Sequence, residues 1–417
     1  MKIYKFGGAS VKDADGVKNL LKVLNEVGYD ETLIIISAMG KMTNAFEKIA
    51  SSYYNKNEEF PIYLKAAISF HKEIIEFLFQ GSKTKILAEI DLIFDELLFF
   101  TKNNTVRDYN YIYDQIVSKA ELISTKICSY YLSENGILNS WLDVREFIKT
   151  NSDFRRAEVD WEKTSELINK NVSVSTLNIT QGFIASDHKN NTTTLGREGS
   201  DYTAGIFAYC LDAEKTIIFK DVAGVLNADP RNFEDTTLLD QISYREAIEM
   251  AFYGASVIHP KTLQPLQRKE IPLFVKSFKN PKNTGTVVCR GANLVPKTPC
   301  FIVKKNQILL SISAKDFSFI MEDDISEIFD FFHQYKLKVN LIQNSAISFS
   351  VCLEDNFNAF NKLYEKLKLN YLCLYNKNVS LFTIRHFTKA SILKIEKNKE
   401  VLVKQLSRET VQLVVKN

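Results

Sequence analysis

Residues 5–10 of the chain, Lys5-Phe6-Gly7-Gly8-Ala9-Ser10 (KFGGAS), join an apolar, strand-like run at residues 3–6 to a helical pattern. Ser10 can cap a helix that we predict to extend to about residue 27. Paired glycines let phosphate oxygens approach backbone N–H groups, and a helix N-terminus adds partial positive charge. The segment therefore favours a phosphate-binding turn. A plain tight turn is the alternative, because the Walker pattern GxxxxGK[ST] is absent.

Beyond this turn, strand and helix patterns alternate along the chain. Residues 32–36 are a β-branched run typical of a buried parallel strand. Apolar residues spaced by three and four predict helices between residues 61 and 135. Further strands are predicted at 172–179 and 215–219, and helices at 200–211 and 243–251. The alternation predicts an α/β fold, a three-layer sandwich on a mostly parallel sheet.

The last quarter of the chain has a different pattern, and VPKTP near residues 294–299 predicts a linker before it. We predict a first domain at 1–292, with a helical region at about 45–135, and an α+β ferredoxin-like region at 300–417. Its second unit is shortened. The predicted strands of this region are 308–312, 339–342, 346–353, 371–374, 379–384, 400–406 and 410–415, and its helices 325–335 and 357–367.

Composition excludes several classes of protein. The 417 residues are 45% hydrophobic and 25% charged, as in an ordinary globular protein, and the net charge of +3 is too small to indicate nucleic-acid binding. Six scattered cysteines without a CxxC pair are typical of reduced thiols in a cytoplasmic protein, not of a zinc site. No apolar run approaches the ~20 residues of a membrane span, so we expect no membrane partner.

A second glycine-containing segment, GREGSD at Gly196–Asp201, opens a predicted helix. Arg197 could hold a carboxylate in a bidentate fork. Asp201 could orient a phosphate-binding lysine or a magnesium shell. The alternative is a simple turn followed by a helix cap.

Taken together, these segments resemble the aspartate kinases of the amino-acid kinase family, along nearly the whole chain. Each segment is short, but their order and spacing are specific. The resemblance is carried by KFGGAS at Lys5, SAMGKMTN at Ser37, SKAELIS around Glu121, TQGFIA at Thr180, GREGSD at Gly196, DVAGVLNADPR at Asp221 and YGASVIHPKT at Tyr253.

The resemblance implies phosphoryl transfer from MgATP to the side-chain carboxylate of L-aspartate, the first step towards lysine, threonine, methionine and diaminopimelate. ATP is the expected cosubstrate, and Mg²⁺ is expected to arrive with it and not at a protein-bound metal site. The implied catalytic residues are Lys5 and Asp201. The implied L-aspartate ligands are Ser37, Thr43, Glu121, Arg197 and Ser200. The implied nucleotide ligands are Lys5, Gly7, Gly8, Ser10, Lys220, Asp221, Leu226, Arg231 and Ser256.

The chain departs from the family pattern at five of these or neighbouring positions. Ala9 replaces a threonine, Glu198 a glycine, Lys220 a threonine or serine, Leu226 a tyrosine and Ser256 a lysine. We hypothesise that Lys220 supplies the positive charge missing at Ser256. Alternatively, Lys220 ends a strand in solvent and nothing compensates.

The C-terminal region resembles the ACT domains that control aspartate kinases. The family's effector pattern VDLITTSE stands here as VNLIQNSA at residues 339–346, without its two acidic residues. We therefore expect weak or absent lysine inhibition and a homodimer formed through this region. We also expect a monofunctional enzyme. A kinase of another small amino acid such as glutamate, and a catalytically weak amino-acid sensor, remain the alternatives.

Overall fold

The computed structural model describes residues 1–81, 83–173, 175–255, 258–291, 293–316 and 318–416. The chain forms two compact units. The first contains Met1–Val225 and most of the later chain up to Val295. The second contains the chain from Pro296 onward, Leu226–Thr237 and a short stretch after residue 248, so the helix Tyr244–Tyr253 begins in the first unit and ends in the second.

The first unit is built on an eight-stranded sheet. Its elements are β1 (Lys2–Phe6), α1 (Ala14–Val27), β2 (Thr32–Ile36), α2 (Met42–Tyr54), α3 (Phe60–Leu78), α4 (Thr84–Asn103), α5 (Tyr109–Glu134), β3 (Ser140–Leu142), β4 (Lys149–Thr150), α6 (Trp161–Asn171), β5 (Asn178–Gln181), β6 (Ile184–Asp187), β7 (Thr192–Thr194), α7 (Gly199–Cys210), β8 (Lys215–Lys220), β9 (Gln241–Ser243), α8 (Tyr244–Tyr253), α9 (Pro260–Arg268), β10 (Leu273–Ser277) and β11 (Thr286–Cys289). The strand order is β3-β5-β2-β1-β8-β10-β11-β9, and only the β10–β11 pair is antiparallel.

The central strands are covered on both faces. All five residues of β2 are buried, as are the last four of β1. A parallel strand with two buried faces needs apolar residues throughout, which explains the run TLIII. The predicted three-layer α/β class is confirmed.

Two predicted boundaries in the first unit need correction. Ser10 does not cap α1, because the Asp13 carboxylate accepts the Gly16 N–H at 2.8 Å and the helix begins at Ala14. The strand expected at 172–179 is only Asn178–Gln181, because α6 extends to Asn171.

The helical region between Pro61 and Asn135 consists of α3, α4 and α5. In α5 nearly every residue from Ile112 to Leu132 is buried, charged ones included. None of the described helices combines the length and apolarity needed to cross a membrane.

The second unit is built on a six-stranded antiparallel sheet of order β13-β14-β12-β15-β17-β16. Its elements are β12 (Cys300–Ala314), α10 (Glu322–Gln334), β13 (Lys338–Asn344), β14 (Ser348–Glu354), α11 (Phe360–Leu367), β15 (Tyr371–Arg385), α12 (Lys389–Glu396), β16 (Glu400–Leu406) and β17 (Thr410–Lys416).

Two ferredoxin-like halves share the long strands β12 and β15. The first half has the order β15-β12-β14-β13 and two helices, α10 and α11. The second half has the order β12-β15-β17-β16 and one helix, α12. The strands predicted separately at 371–374 and 379–384 form one strand, because β15 follows β12 through register shifts between Lys304 and Leu309.

Candidate active site

A cavity of about 520 Å³ opens at the carboxyl ends of the parallel strands of the first unit. Open α/β sheets bind ligands at this edge. The cavity is lined by Lys5, Ser37, Thr43, Tyr113, Glu121, Arg155, Phe183, Gly196, Arg197, Glu198, Gly199, Ser200, Asp201 and Lys220.

Neighbouring strands and α7 bring two lysines to one carboxylate. Lys5 is on β1, and Lys220 ends the adjacent strand β8. Asp201 lies in the first turn of α7. The Lys5 Nζ lies 2.6 Å from Asp201 Oδ1, and the Lys220 Nζ lies 3.6 Å from Asp201 Oδ2. Burial alone would raise the Asp201 pKa, but the two ammonium groups hold it below its usual range.

Glu121 is a buried carboxylate that lines the same cavity. It lies on α5 and is 2% exposed. Burial raises its pKa to about 8, although the Ala38 backbone N–H and the Lys5 ammonium favour the charged form. Its Oε2 has no hydrogen-bond partner among the residues that the structure describes. Such an orphaned acceptor is the kind of group that a ligand ammonium would satisfy.

The two glycines of KFGGAS allow close packing. A Cβ at Gly7 would lie 3.3 Å from the Lys5 Nζ, so the missing side chain leaves room for the ammonium. A Cβ at Gly8 would lie 2.7 Å from the Ala38 carbonyl oxygen, and the Gly8 carbonyl accepts the Gly40 N–H at 3.0 Å. The buried Ser10 hydroxyl has no hydrogen-bond partner within the described part of the chain.

Three lining residues other than glycine have left-handed backbone: Arg155 (φ 71°), Phe183 (φ 73°) and Glu198 (φ 53°). Each such residue costs roughly 1 kcal/mol or more, and strained residues of this kind cluster at functional sites. Glu198 therefore adopts the conformation that glycine favours, and its carboxylate accepts the His259 backbone N–H at 2.9 Å.

The remaining predicted substrate ligands lie around the same cavity. Ser37 follows β2, and its carbonyl accepts the Ser124 hydroxyl at 2.7 Å. Thr43 lies in the first turn of α2. Arg197 is exposed beside the N-terminus of α7, and Ser200 is buried in its first turn.

Several predicted nucleotide ligands are not among the lining residues of this cavity. Asp221 is exposed directly after β8. Leu226 and Arg231 belong to the second unit, where Arg231 pairs with Asp229 at 2.7 Å. Ser256 lies outside the described residues. Gly7, Gly8 and Ser10 are not among the lining residues either, and the nucleotide roles of all seven residues stay predictions.

Sequence reasoning missed three large lining residues, Tyr113, Arg155 and Phe183. Tyr113 belongs to the helical pattern of α5 and carries no motif signal of its own. Phe183 lies inside the segment TQGFIA, one of the segments that carry the family resemblance, and its position there could have indicated that it lines the site. Arg155 lies in an unmatched loop whose backbone conformation cannot be read from residue types.

No group of three or more His, Cys, Asp or Glu side chains that could hold a metal occurs among the described residues. Three acidic side chains line the cavity: Asp201, which is engaged by Lys5 and Lys220, the buried Glu121, and Glu198, which accepts the His259 N–H.

Residues 1–277 match the model of the amino acid kinase family. The chain is 34% identical to lysine-sensitive aspartokinase 3 of Escherichia coli (strain K12) over 357 residues, covering 84% of this chain and 78% of that protein. It also matches a bifunctional aspartokinase/homoserine dehydrogenase of Arabidopsis thaliana at 26% identity, spanning 42% of that longer protein.

A solved structure of E. coli aspartokinase III in complex with lysine and aspartate superposes with a TM-score of 0.84 at 28% identity, covering 100% of this chain and 96% of that one. A second structure, with aspartate and ADP, has a TM-score of 0.81 at 27% identity and the same coverage. The structural match extends over the whole chain and the sequence match over 84% of it. The chain belongs to the amino acid kinase family, within its aspartokinase group.

Proposed function

We propose that this chain transfers the γ-phosphoryl group of ATP to the β-carboxylate of L-aspartate, giving 4-phospho-L-aspartate and ADP. One observation carries the proposal: the buried Lys5–Asp201 pair shares a cavity with the Glu121 carboxylate, whose Oε2 has no hydrogen-bond partner among the described residues. The Lys5 ammonium group is suited to contact a transferring phosphate, and the Glu121 carboxylate is suited to bind the ammonium group of an amino acid. The aspartate and ADP bound to the E. coli aspartokinase III structures support this pairing of ligands.

On the substrate side, charge complementarity assigns the roles. Glu121 binds the α-ammonium group, and Arg197 binds the α-carboxylate in a bidentate fork. Ser37, Thr43 and Ser200 supply hydroxyl groups around the same cavity. The β-carboxylate is then left to approach Lys5.

The acceptor needs no general base, because a carboxylate with a pKa near ~4 is already ionised at neutral pH. A β-carboxylate oxygen bonds to the γ-phosphorus while the bond from that phosphorus to the β,γ-bridging oxygen breaks, and ADP leaves with the electron pair. The difficulty is repulsion between two anions. Lys5 and Lys220 offset it, and Asp201 holds both ammonium groups in position.

On the nucleotide side, Gly7, Gly8 and the Ser10 hydroxyl form the phosphate-binding turn. Asp221, Leu226, Arg231 and Ser256 are assigned to the nucleotide by the family pattern. Mg²⁺ bound to the nucleotide would further neutralise the phosphate charge.

The test is ADP release with L-aspartate, L-glutamate and L-asparagine as acceptors. L-Asparagine keeps the ammonium and α-carboxylate groups but lacks the acceptor carboxylate, so it should bind without turnover. L-Glutamate should be turned over much more slowly than L-aspartate. Preference for L-glutamate, or no ADP release with any acceptor from protein that binds ATP, would favour one of the two alternatives.

We assign catalysis to residues 1–292, and regulation and dimerisation to residues 300–417. The E. coli relative is named lysine-sensitive, but we propose a weak response here. The Asn340 amide oxygen accepts a hydrogen bond from Lys304 at 2.8 Å, and its Nδ2 donates to Gln307 at 2.8 Å. The Lys304 ammonium group therefore already uses the side-chain acceptor of residue 340, the position at which the family has an acidic residue.

A homodimer through the second unit is supported by exposed apolar side chains on β15. Leu372 is 56% and Leu374 is 68% exposed, and they alternate with the core residues Tyr371 and Cys373. Large apolar groups on a sheet face are typical of association surfaces. We place the enzyme in the cytoplasm, because all six cysteines are free.

A further inference from the structure

Arg155 is a charged lining residue of the cavity to which the family pattern assigns no role. It lies in the loop between β4 and α6, far in sequence from Arg197. Its neighbour Arg156 is exposed and is not among the lining residues. The two adjacent arginines therefore differ in their relation to the cavity.

The backbone of Arg155 is held firmly in its unusual left-handed conformation. Its N–H donates to Asp114 Oδ2 at 2.9 Å. Asp114 is fully buried and also accepts the Thr194 N–H at 2.9 Å and the Thr194 hydroxyl at 2.8 Å. This network ties the loop to α5 and to β7, so the origin of the side chain is fixed.

The contacts of the Arg155 guanidinium group orient it and leave N–H donors for a ligand. Its Cζ lies 4.3 Å from the centre of the Tyr113 ring and 5.5 Å from that of Tyr109. Stacking of this kind orients a guanidinium while leaving its edge N–H groups available. Its ion pair with Glu47, at 3.5 Å, is longer than the about 2.7–2.9 Å of a charge-assisted hydrogen bond.

The substrate of the proposed reaction supplies a matching group. L-Aspartate has two carboxylates, and only the β-carboxylate must reach the phosphate beside Lys5. The α-carboxylate remains near Glu121, which takes the adjacent ammonium group. A carboxylate has four lone-pair positions, more than the single fork of Arg197 fills.

We propose that Arg155 is a specificity residue that binds the α-carboxylate of the amino-acid substrate together with Arg197. This inference rests on the proposed function. A two-arginine clamp on the carboxylate that does not react strengthens ground-state and transition-state binding equally. Removing one arm therefore raises KM and leaves kcat unchanged.

The experiment compares Arg155→Gly with Arg156→Gly in steady-state kinetics and thermal unfolding. Glycine suits the left-handed backbone at position 155, so the variant can keep the loop conformation while it removes the whole side chain with its guanidinium. We expect Arg155→Gly to raise the KM for L-aspartate about 10-fold, with kcat and the KM for ATP within about twofold and a midpoint of unfolding no lower than the parent's. Arg156→Gly should leave the KM for L-aspartate unchanged.

Two results would overturn the inference. An unchanged KM for L-aspartate in Arg155→Gly would mean that the guanidinium does not contact the substrate. A fall in kcat without a rise in KM would place it at the transferring group instead. Failure of the proposed function is a separate result, because the parent enzyme itself would then show no turnover with L-aspartate.

Discussion

The ammonium group of Lys5 lies 2.6 Å from the carboxylate of Asp201, and both side chains are at most 10% exposed. Lys5 is the penultimate residue of β1 and Asp201 lies in the first turn of α7, so the pair joins the strand before the KFGGAS turn to a helix N-terminus. A second ammonium group, that of Lys220, faces the same carboxylate. Two ammonium groups therefore face one carboxylate, which leaves a net positive charge at the place where we propose that the ATP phosphates bind.

Removing one partner of this pair should cost stability as well as activity. Lys5→Met leaves Asp201 buried with only the more distant Lys220, and we expect a loss of about 3 kcal/mol in the free energy of unfolding. The double variant Lys5→Met/Asp201→Asn should recover part of that loss. Urea unfolding of the two single variants and the double variant measures the coupling, and strictly additive losses would contradict a stabilising pair.

The affinity for L-aspartate should depend on pH through Glu121. Its pKa is raised to about 8, so near pH 7 the empty site holds mostly the neutral acid, whereas an ammonium ligand requires the carboxylate. The KM for L-aspartate should fall as the pH rises from about 6, by up to about tenfold for each pH unit. It should level off above about pH 8. Glu121→Gln should show a high KM without this pH dependence. A parent KM that is flat across this range would contradict the assignment.

The stability of the ligand-free enzyme should fall as the pH rises because of the same Glu121 carboxyl group, whereas the affinity for L-aspartate should increase. Because the folded-state pKa lies above the usual value of 4.5, the folded protein binds a proton that the unfolded chain has lost. Glu121 therefore lowers stability progressively as the pH rises from 4.5 towards 8. The midpoint of unfolding of Glu121→Gln, minus that of the parent, should be near zero at pH 4.5 and grow up to pH 8. A difference that does not change with pH would show that the carboxyl is not desolvated.

Lys220 should contribute to ATP binding. Lys220→Met keeps the apolar stem and removes the charge, and we expect the KM for ATP to rise about 10-fold. Lys215→Met, at the other end of β8, is the matched control and should leave that KM unchanged. If the KM for ATP in Lys220→Met stays within twofold of the parent's, Lys220 does not compensate for the positive charge that is missing at Ser256.

Lysine should be a poor inhibitor. The amide of Asn340 already accepts a hydrogen bond from Lys304, so we expect L-lysine at about 1 mM to leave the rate unchanged. A dissociation constant of about 1 mM corresponds to a binding free energy of only ~4 kcal/mol. Restoring a free acidic group with Asn340→Asp/Lys304→Ala should increase the response. Strong inhibition of the parent below 1 mM would refute the account of this position.

The sequence predicts well what depends on burial and spacing. Residues 32–36 read as a buried parallel strand, and β2 has those bounds because each of its residues must be apolar or satisfied within the sheet. Of the implied site residues, eight line the cavity: Lys5, Ser37, Thr43, Glu121, Arg197, Ser200, Asp201 and Lys220. Each of them lies at a strand end, in the first turn of a helix or on the buried helix α5, apart from Arg197 in the loop before α7.

What the sequence does not predict depends on competition between neighbours and on backbone conformation. Ser10 and Asp13 are both good helix caps, and only the fold decides that Asp13 is the one used. Arg155 reads as one of two loop arginines, because nothing in its type reveals a left-handed backbone or a stack on Tyr113. The predicted break within β15 fails for a related reason, since its pairing with β12 continues past the polar residues 376–378.

The most direct measurement is hydroxylamine trapping of the acyl phosphate formed from MgATP and L-aspartate by the parent and by Lys5→Met. We predict hydroxamate that depends on L-aspartate and ATP in the parent, and at least about 10³-fold less in the variant, as expected when a group that stabilises transferring charge is lost. Hydroxamate formed equally by both proteins would contradict the role of Lys5. No hydroxamate from parent protein that is folded and binds ATP would contradict the proposed reaction itself.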